Sequence, residues 1–239
     1  MKNDCVRILR VMKQFKFVLA SNSPRRKQLF GLGGWDFTVI AADVDETPFK
    51  DELPREYVVR LAQAKASAVQ ARVCPEPGRR AESDAVIVGS DTTVVDGNEI
   101  LGKPVDESDA RRMLKQLRGR VHQVFTAIAI LQKDMTVTDL CITDVPMRDY
   151  SDNEIERYIQ SGDPMDKAGA YAIQHPEFKP VLALKGCYAS VMGLPLCHIL
   201  RAMNQFQFTA AGNVPNACQS LLKYDCKVSP AVLSGELVD

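Results

Sequence analysis

The segment AVIVGSDTTVV, residues 85–95, is the clearest β-strand in the sequence. Its first half is continuously apolar, which is typical of a strand at the centre of a sheet that is covered on both faces. Asp91 stands where this apolar run gives way to polar residues. Because ligands of α/β sheets collect beyond the carboxyl ends of strands, Asp91 is a candidate to orient a metal ion or to accept a proton from water. The alternative is an aspartate that merely begins a turn, but the continuing TTVV favours a functional role.

The sequence on either side of this strand alternates between strands and helices. Residues 15–21, FKFVLAS, predict a second buried strand, followed by a helix that Ser23 can cap with Pro24 at its first position. A helical pattern runs from 54 to about 71, and residues 121–150 predict an antiparallel pair of strands. Alternating strands and helices followed by an antiparallel ribbon predict an α/β fold with a mixed sheet.

The last third of the chain is less regular. Residues 163–174, DPMDKAGAYAIQ, predict a loop with a short helical piece, and residues 179–192 have a strand-like pattern. Residues 194–206 predict a final helix. The sequence after about Thr209 is a polar tail for which the pattern predicts no definite order.

Composition excludes several classes of protein. The chain has 239 residues, 25% of them charged, and a formal net charge of zero. A general nucleic-acid binder normally has a basic excess, so no nucleic-acid partner is expected. The longest apolar runs are too short to span a bilayer, and the N-terminus lacks the apolar region of a secretory signal. These observations predict a cytoplasmic protein without a membrane partner.

The cysteines and histidines carry weak signals. Seven cysteines are scattered along the chain without a CxxC motif, so free thiols are expected and a zinc site or disulfide is the alternative. The three histidines lie far apart in the sequence, which argues against a histidine-based catalytic triad, and a hydrogen-bonded core position is favoured for His198. The cysteines that remain without an interpretation are Cys187, Cys197, Cys218 and Cys226.

Common nucleotide-binding and hydrolase motifs are absent. The sequence contains no GxxxxGK[ST], no GxGxxG, no HExxH and no GxSxG. These absences exclude P-loop enzymes, dinucleotide-binding domains of the usual type and two familiar hydrolase classes.

The segment LASNSPRRKQLF, residues 19–30, places three cations where a strand meets a helix. Cations are disfavoured at a helix N-terminus because the macrodipole is already positive there. The arrangement makes sense if a phosphate or carboxylate shares the site, bound by backbone N–H groups and by the guanidinium groups of Arg25 and Arg26. A solvated first turn is an equally good interpretation of these residues alone.

Four other polar residues have two interpretations each. Lys65 and Lys103, taken singly, indicate surface charges. Glu46 lies in an acidic loop and is either a magnesium ligand or a solvated carboxylate. Gln174 follows the small residues 168–170 and offers a donor and an acceptor to the edge of a base or sugar, although a tight surface loop is the favoured interpretation.

Several segments in order resemble the Maf family of nucleoside triphosphate pyrophosphatases. They are LASNSPRR, VGSDTTVVDGNEILGKP, SGDPMDKAGAYAIQ and VMGLPL, and the resemblance extends over about residues 15–205. It implies the fold shared by Maf proteins and the inosine triphosphatases of the HAM1 type, a mixed twisted sheet flanked by helices with a central cleft. It also implies an N-terminal extension over 1–14, a domain of two lobes around one cleft over 15–206, and a C-terminal extension over 207–239.

The resemblance implies roles for individual residues. Asp91 matches the proton acceptor that activates water, and Glu46 matches an acidic position of the cleft. Together these two carboxylates are the candidate ligands of a divalent cation, Mg²⁺ or Mn²⁺. The residues that match groups holding the triphosphate are Ser21, Arg26, Lys65 and Lys103.

Three further positions separate two branches of the family. Arg25, Thr92 and Gln174 match the branch that acts on dTTP and UTP rather than the branch that acts on methylated guanine nucleotides. Two residues depart from the family pattern: Ser90 stands where alanine is common, and His175 stands where many members have glycine.

The resemblance implies hydrolysis of dTTP and UTP between the α and β phosphates, giving a nucleoside monophosphate and pyrophosphate. A homodimer is the family-like assembly. An alternative function is a nucleotide-sensing regulator of septum formation and cell division without significant turnover. A third alternative is a modified nucleotide as substrate, because His175 departs from the family pattern next to Gln174, a residue assigned to the choice of base.

Overall fold

The computed structural model describes residues 16–73 and 85–236. They contain a six-stranded sheet in the order β2-β1-β3-β5-β6, with β4 paired to β3. Strand β1 runs parallel to β2 and β3, whereas β4, β5 and β6 are antiparallel to their neighbours. The predicted mixed sheet is therefore confirmed. The strands are β1 (Lys16–Leu19), β2 (Phe37–Val39), β3 (Ala85–Asp96), β4 (Glu99–Leu101), β5 (Val121–Gln132) and β6 (Met135–Pro146).

The long strand β3 organises the sheet. Its first part pairs with β1 as far as Val88, and its last part pairs with β4 from Val94 onward. Both neighbours lie on the same edge, because β5 occupies the other edge from Val86 to Val95. Residues 89–93 therefore lie in a gap between β1 and β4. Asp91 is within this gap, in the middle of β3 and beyond the carboxyl end of β1.

Helices flank the sheet. The predicted cap at Ser23 is confirmed, because its Oγ accepts the N–H of Arg26 at 3.4 Å, and Ser151 forms a capping box with Glu154. Both arrangements satisfy backbone donors that a helix leaves unpaired at its start. The α-helices of the described residues are α1 (Pro24–Gly31), α2 (Pro54–Val73), α3 (Glu107–Leu117), α4 (Asp152–Gln160), α5 (Tyr188–Val191), α6 (Leu196–Asn204), α7 (Val214–Leu222) and α8 (Ser229–Ser234).

Helix α2 packs very closely on one face of the sheet. A Cβ atom on Gly89 would lie 2.4 Å from the carbonyl oxygen of Ala62, so only glycine permits this approach. Ile87 of β3 is buried against α2, whereas Val86 and Val88 are buried against the elements on the opposite face. This alternation explains the continuous apolar run of β3, because both faces are covered. A third cluster, around Tyr150, packs α3 against α4.

Two parts of the C-terminal third differ from the sequence-based predictions. Residues 179–192 are not a strand: Val181 forms a single bridge with Met147, and Tyr188–Val191 is a helix. Residues 214–234 of the polar tail contain α7 and α8. Phe208, Val214 and Leu222 belong to the core cluster that also contains residues of α6, so apolar side chains dock this mainly polar segment. The predicted extension over 1–14 lies outside the described residues.

Within the described ranges, every helix is too short or too polar to traverse a lipid bilayer.

The docking of the C-terminal segment is testable through Phe208. Its ring lies 5.6 Å from that of Phe17, and the indole N–H of Trp35, the single tryptophan, donates to the Thr209 carbonyl at 3.2 Å. We expect Phe208→Ala to lower the free energy of unfolding by about 3 kcal/mol, since it removes a buried aromatic side chain. Urea denaturation, monitored by the fluorescence of Trp35, measures this free energy of unfolding. Val105→Ala, at a side chain 86% exposed, is the control and should change it by less than about 0.5 kcal/mol. Equal effects of the two substitutions would contradict the observed packing.

Candidate active site

The gap along β3 opens into a cleft with a volume of about 810 Å³. The first turn of α1, the middle of β3, the loop after β4 and the segment 163–176 all contribute to its walls. Every site residue predicted from the sequence lines this cleft, although the segments that carry them are far apart in the chain. These residues are Ser21, Arg25, Arg26, Glu46, Lys65, Asp91, Thr92, Lys103 and Gln174.

Lys65 joins the two candidate carboxylates. Its ammonium nitrogen lies 2.6 Å from Asp91 Oδ1 and 2.6 Å from Glu46 Oε1. The close contact of α2 with Gly89 places Lys65 one turn further along the helix, directly above Asp91. Lys65 is therefore buried, and the interpretation of this lysine as a surface charge was wrong. Only the register of α2 on β3 determines this, and no local pattern reveals that register.

The two carboxylates have opposite pKa shifts. Burial raises the pKa of Asp91, and the charges of Lys65 and Arg26 oppose this effect. Burial also acts to raise the pKa of Glu46, but the hydrogen bond and charge of Lys65, together with Lys103 and Arg26, lower it overall. Asp91 is thus a buried carboxylate whose ionised form depends on nearby cations.

Tyr57 holds the acidic loop that carries Glu46. Its hydroxyl donates to the Glu46 carbonyl oxygen at 3.0 Å, and Arg60 donates to the carbonyl oxygen of Thr47 at 3.2 Å. Burial, followed by the charges of Asp91 and Glu46, raises the pKa of Tyr57 to about 12. Tyr57 therefore stays protonated and remains a donor. The sequence analysis did not single out this residue.

Arg26 is fixed by two hydrogen bonds from its guanidinium group. Nε donates to the carbonyl oxygen of Gly193 at 2.9 Å, and Nη2 donates to Thr92 Oγ1 at 3.1 Å. Burial lowers the pKa of Arg26, while the charges of Asp91 and Glu46 raise it. The guanidinium is thereby oriented before any ligand binds.

Gly193 explains why the segment VMGLPL belongs to the site. Its φ of +104° is a conformation that favours glycine, and a Cβ atom there would lie 3.1 Å from Arg26 Nε. Its carbonyl oxygen also accepts from Ser90 Oγ at 2.9 Å. Gly193 was not predicted as a site residue, because its contribution is a carbonyl direction rather than a side chain.

Two further cationic residues, Arg25 and Lys103, line the cleft. Among the described residues, neither Arg25 nor Lys103 forms an ion pair, so both can neutralise an anion in the cleft. The backbone after β4 is tied to the opposite wall by a hydrogen bond from the Gly169 N–H to the Gly102 carbonyl oxygen at 3.0 Å. This contact positions the exposed Lys103 at the rim.

The segment 163–176 is held rigidly. The Tyr158 hydroxyl donates to Asp163 at 2.6 Å and accepts from the Ala172 N–H at 2.9 Å. Lys167 is buried and forms ion pairs with Asp163 and Asp166, a feature of the cleft wall that sequence reasoning missed. These bonds hold the segment whose exposed residue Gln174 lines the cleft.

The cleft is compatible with a divalent cation, but its carboxylates do not form a complete protein site. In the parts of the chain that the structure describes, no group of three histidine, cysteine or acidic side chains could hold a metal. Glu46 and Asp91 supply two hard oxygen donors on either side of Lys65. Mg²⁺ is commonly bound by one or two carboxylates together with substrate phosphates and water. These two residues fit that mode of binding.

Comparisons with known proteins identify relatives over most of the chain. A protein from Shewanella oneidensis named dTTP/UTP pyrophosphatase is 47% identical over 193 residues, covering 79% of this chain and 96% of that protein. Proteins with the same name from Hahella chejuensis and Bacillus cereus are each 41% identical over 191 residues, or 80% of this chain, and 92% and 95% of those proteins are covered.

The Ham1 protein of Staphylococcus aureus is a solved structure with some similarity. It is 16% identical, the match covers 87% of this chain and 98% of that one, and the TM-score is 0.43. The profile of the Maf-like protein family, in contrast, matches residues 16–206. A match of this length, together with relatives more than 40% identical over most of the chain, places this protein in the Maf-like family.

Proposed function

We propose that this protein is a nucleoside triphosphate pyrophosphatase that hydrolyses dTTP and UTP to the nucleoside monophosphate and pyrophosphate. The observation that carries the proposal is the convergence of Arg26, Lys65 and Lys103 around Asp91 in one cleft. The names of the similar proteins support this reaction and these substrates.

The cations stabilise the charges of the reaction. Cleavage between the α and β phosphates develops negative charge on the leaving pyrophosphate and on the oxygens of the pentavalent phosphorus. Arg26 is already oriented by Gly193 and Thr92, so it does not need to reorganise during the reaction. Lys103 forms no ion pair with a carboxylate of the described residues, and it completes the binding of the triphosphate together with Ser21.

Asp91 acts as the general base. It is positioned by Lys65, and its carboxylate accepts the proton of the attacking water. Glu46 and Asp91 are the residues that would hold Mg²⁺ or Mn²⁺. When bound, such a cation supplies charge neutralisation at the phosphate oxygens and acidifies water. Lys65 keeps both carboxylates ionised for either role.

Arg25, Thr92 and Gln174 determine the choice of base. Gln174 can offer a donor and an acceptor to the Watson–Crick edge of a pyrimidine. The neighbouring His175 also lines the cleft, and its Nδ1 accepts the Phe178 N–H at 2.9 Å. A modified pyrimidine nucleotide is therefore the second class of substrate to test. Homodimer formation and a cytoplasmic location stay predictions from the sequence.

A panel of triphosphates tests the proposal. We expect dTTP and UTP with Mg²⁺ to give kcat/KM values at least about 100-fold above those of 7-methyl-GTP, because a base whose edge does not match Arg25, Thr92 and Gln174 loses the hydrogen bonds that these residues offer. The measurement is pyrophosphate release, with monophosphate quantified beside it. Binding of nucleotides without pyrophosphate release under any metal would instead support the alternative of a nucleotide-sensing regulator. A preference for 7-methyl-GTP would contradict the assignment of the three specificity residues.

A further inference from the structure

The C-terminal extension, of which residues 207–236 are described, lies outside the segment that the family profile matches, since that segment ends at residue 206. The proposed hydrolysis uses no residue of this extension, and none of its residues lines the cleft. One of its side chains is nevertheless hydrogen-bonded to the backbone that leads to the active site.

Helix α7 brings Tyr224 to the segment before α5. Asn213 caps the helix, because its side chain accepts the Asn216 N–H at 3.0 Å, and Leu222 of the last turn is buried in the core. Lys223 ends the helix with a φ of +49°, a left-handed conformation that is uncommon for residues other than glycine. Tyr224 follows this turn, so its backbone is placed by a docked helix.

The Tyr224 hydroxyl binds the backbone from which α5 begins. Its oxygen lies 3.0 Å from the carbonyl oxygens of both Leu184 and Gly186, so its proton can donate to either. Within the described part of the chain, the backbone of residues 183–186 forms no other hydrogen bond. Tyr224 is therefore the polar anchor of this segment.

Helix α5 connects the anchored segment to Gly193. Cys187 follows Gly186 directly and caps the helix, because its sulfur accepts the Ser190 N–H at 3.4 Å. The Gly193 N–H donates to the Ser190 carbonyl oxygen at 2.8 Å, so the helix and the glycine form one short unit. The position of the Gly193 carbonyl group therefore depends on where α5 begins.

Arg26 depends on this unit for its orientation. Its Nε donates to the Gly193 carbonyl oxygen at 2.9 Å, and its other bond to the protein is the one from Nη2 to Thr92 Oγ1 at 3.1 Å. One hydrogen bond alone leaves a guanidinium group free to rotate about it. A shift of Gly193 would thus misalign a donor whose contribution to the reaction depends on its direction.

We propose that Tyr224 is a positioning residue of the active site, through which the C-terminal extension holds α5 and thereby orients Arg26 toward the phosphates. The role in catalysis rests on the proposed function, because Arg26 acts there as the donor to the triphosphate. The extension thus supports a residue of the family domain from a part of the chain that the family profile does not match.

The first test is Tyr224→Phe, which removes the hydroxyl group and keeps the ring. We expect kcat/KM for dTTP to fall about fivefold, the factor that corresponds to one hydrogen bond. Tyr188→Phe is the matched control: the two rings lie 5.4 Å apart, but the Tyr188 hydroxyl has no hydrogen bond within the described residues. This control should retain the wild-type kcat/KM.

A double-mutant cycle distinguishes positioning from a general loss of stability. In the Arg26→Ala background, Tyr224→Phe should cause no further loss of kcat/KM, because its effect passes through the guanidinium group. A merely structural role would lower kcat/KM by the same factor in both backgrounds.

Hydrogen–deuterium exchange, measured by mass spectrometry, tests the anchoring without turnover. The amides of residues 190–194 form hydrogen bonds within their own segment, so they report on the order of α5 and Gly193. We expect them to exchange about fivefold faster in Tyr224→Phe, whereas the amides of β5 should exchange as in the wild type.

A wild-type kcat/KM in Tyr224→Phe would overturn the proposal, as would an equal loss in the two Arg26 backgrounds. A wild-type protein without turnover would contradict the proposed hydrolysis, and the exchange rates would then decide about Tyr224. Faster exchange confined to residues 190–194 would support its hold on α5, and unchanged exchange would overturn it.

Discussion

Asp91→Asn is expected to lower kcat for dTTP by about 10³-fold, because general-base catalysis typically contributes 10²- to 10⁴-fold and asparagine cannot accept the proton of water. The substitution preserves the shape of the side chain, and Lys65 keeps its ion pair with Glu46. We therefore expect the variant to remain folded. Pyrophosphate release at saturating dTTP measures the effect.

Asp45→Asn is the matched control. Asp45 belongs to the same acidic loop as Glu46 but does not line the cleft, and its Oδ1 accepts the Thr47 N–H, which an amide oxygen can also do. Its kcat should stay close to that of the wild type. Persistent activity in Asp91→Asn would remove Asp91 as the base, whatever the result for Asp45.

The pH dependence of the wild type follows from the same group. The base must be ionised, so activity is present above the pKa of Asp91 and is lost as the pH falls through it. Burial raises this pKa. We therefore expect the acid limb of kcat to lie above the ordinary aspartate pKa of about 3.9, and the limb should be missing from the residual activity of Asp91→Asn.

Arg26→Ala is expected to lower kcat/KM for dTTP by about 10²-fold, the usual effect of removing one preorganised donor to a developing anion. The guanidinium bridges Gly193 and Thr92, and alanine removes both of these hydrogen bonds together with the donors that the guanidinium offers to the phosphate. Steady-state kinetics of pyrophosphate release measure the change. Arg26→Lys should recover only part of the loss, since an ammonium group lacks the planar arrangement of donors.

Lys27→Ala provides the control for Arg26. Lys27 is the next residue of α1, carries the same charge and is exposed, but it does not line the cleft. Its removal should leave kcat/KM within about twofold of the wild type, because exposed charges at this distance are screened by salt. Similar losses in the two variants would indicate a general effect of charge on α1, contrary to a specific role for Arg26.

Local signals predicted much of the fold. Ser23 and Ser151 begin helices because their side chains satisfy backbone donors, and this chemistry is visible in a few consecutive residues. The apolar run before Asp91 predicted a central strand because both faces of β3 are buried. The segment 179–192 was misassigned, since a short apolar stretch has the same pattern in a strand as in a loop that ends in a helical turn.

The site required more than local signals. All its predicted residues lie in one cleft, but the contact between Lys65 and Asp91 depends on α2 crossing β3 at Gly89. The part played by Gly193 depends on the direction of a carbonyl group, which no residue type encodes. Long-range register and backbone direction are properties of the assembled fold, and no local stretch of sequence encodes them.

The central claim is that this cleft cleaves a nucleoside triphosphate between its α and β phosphates. The most direct measurement is ³¹P NMR of dTTP incubated with the protein and Mg²⁺. The account predicts dTMP and pyrophosphate in equal amounts, with no dTDP as an intermediate. Formation of dTDP and orthophosphate, or binding of dTTP that never leads to product, would contradict it.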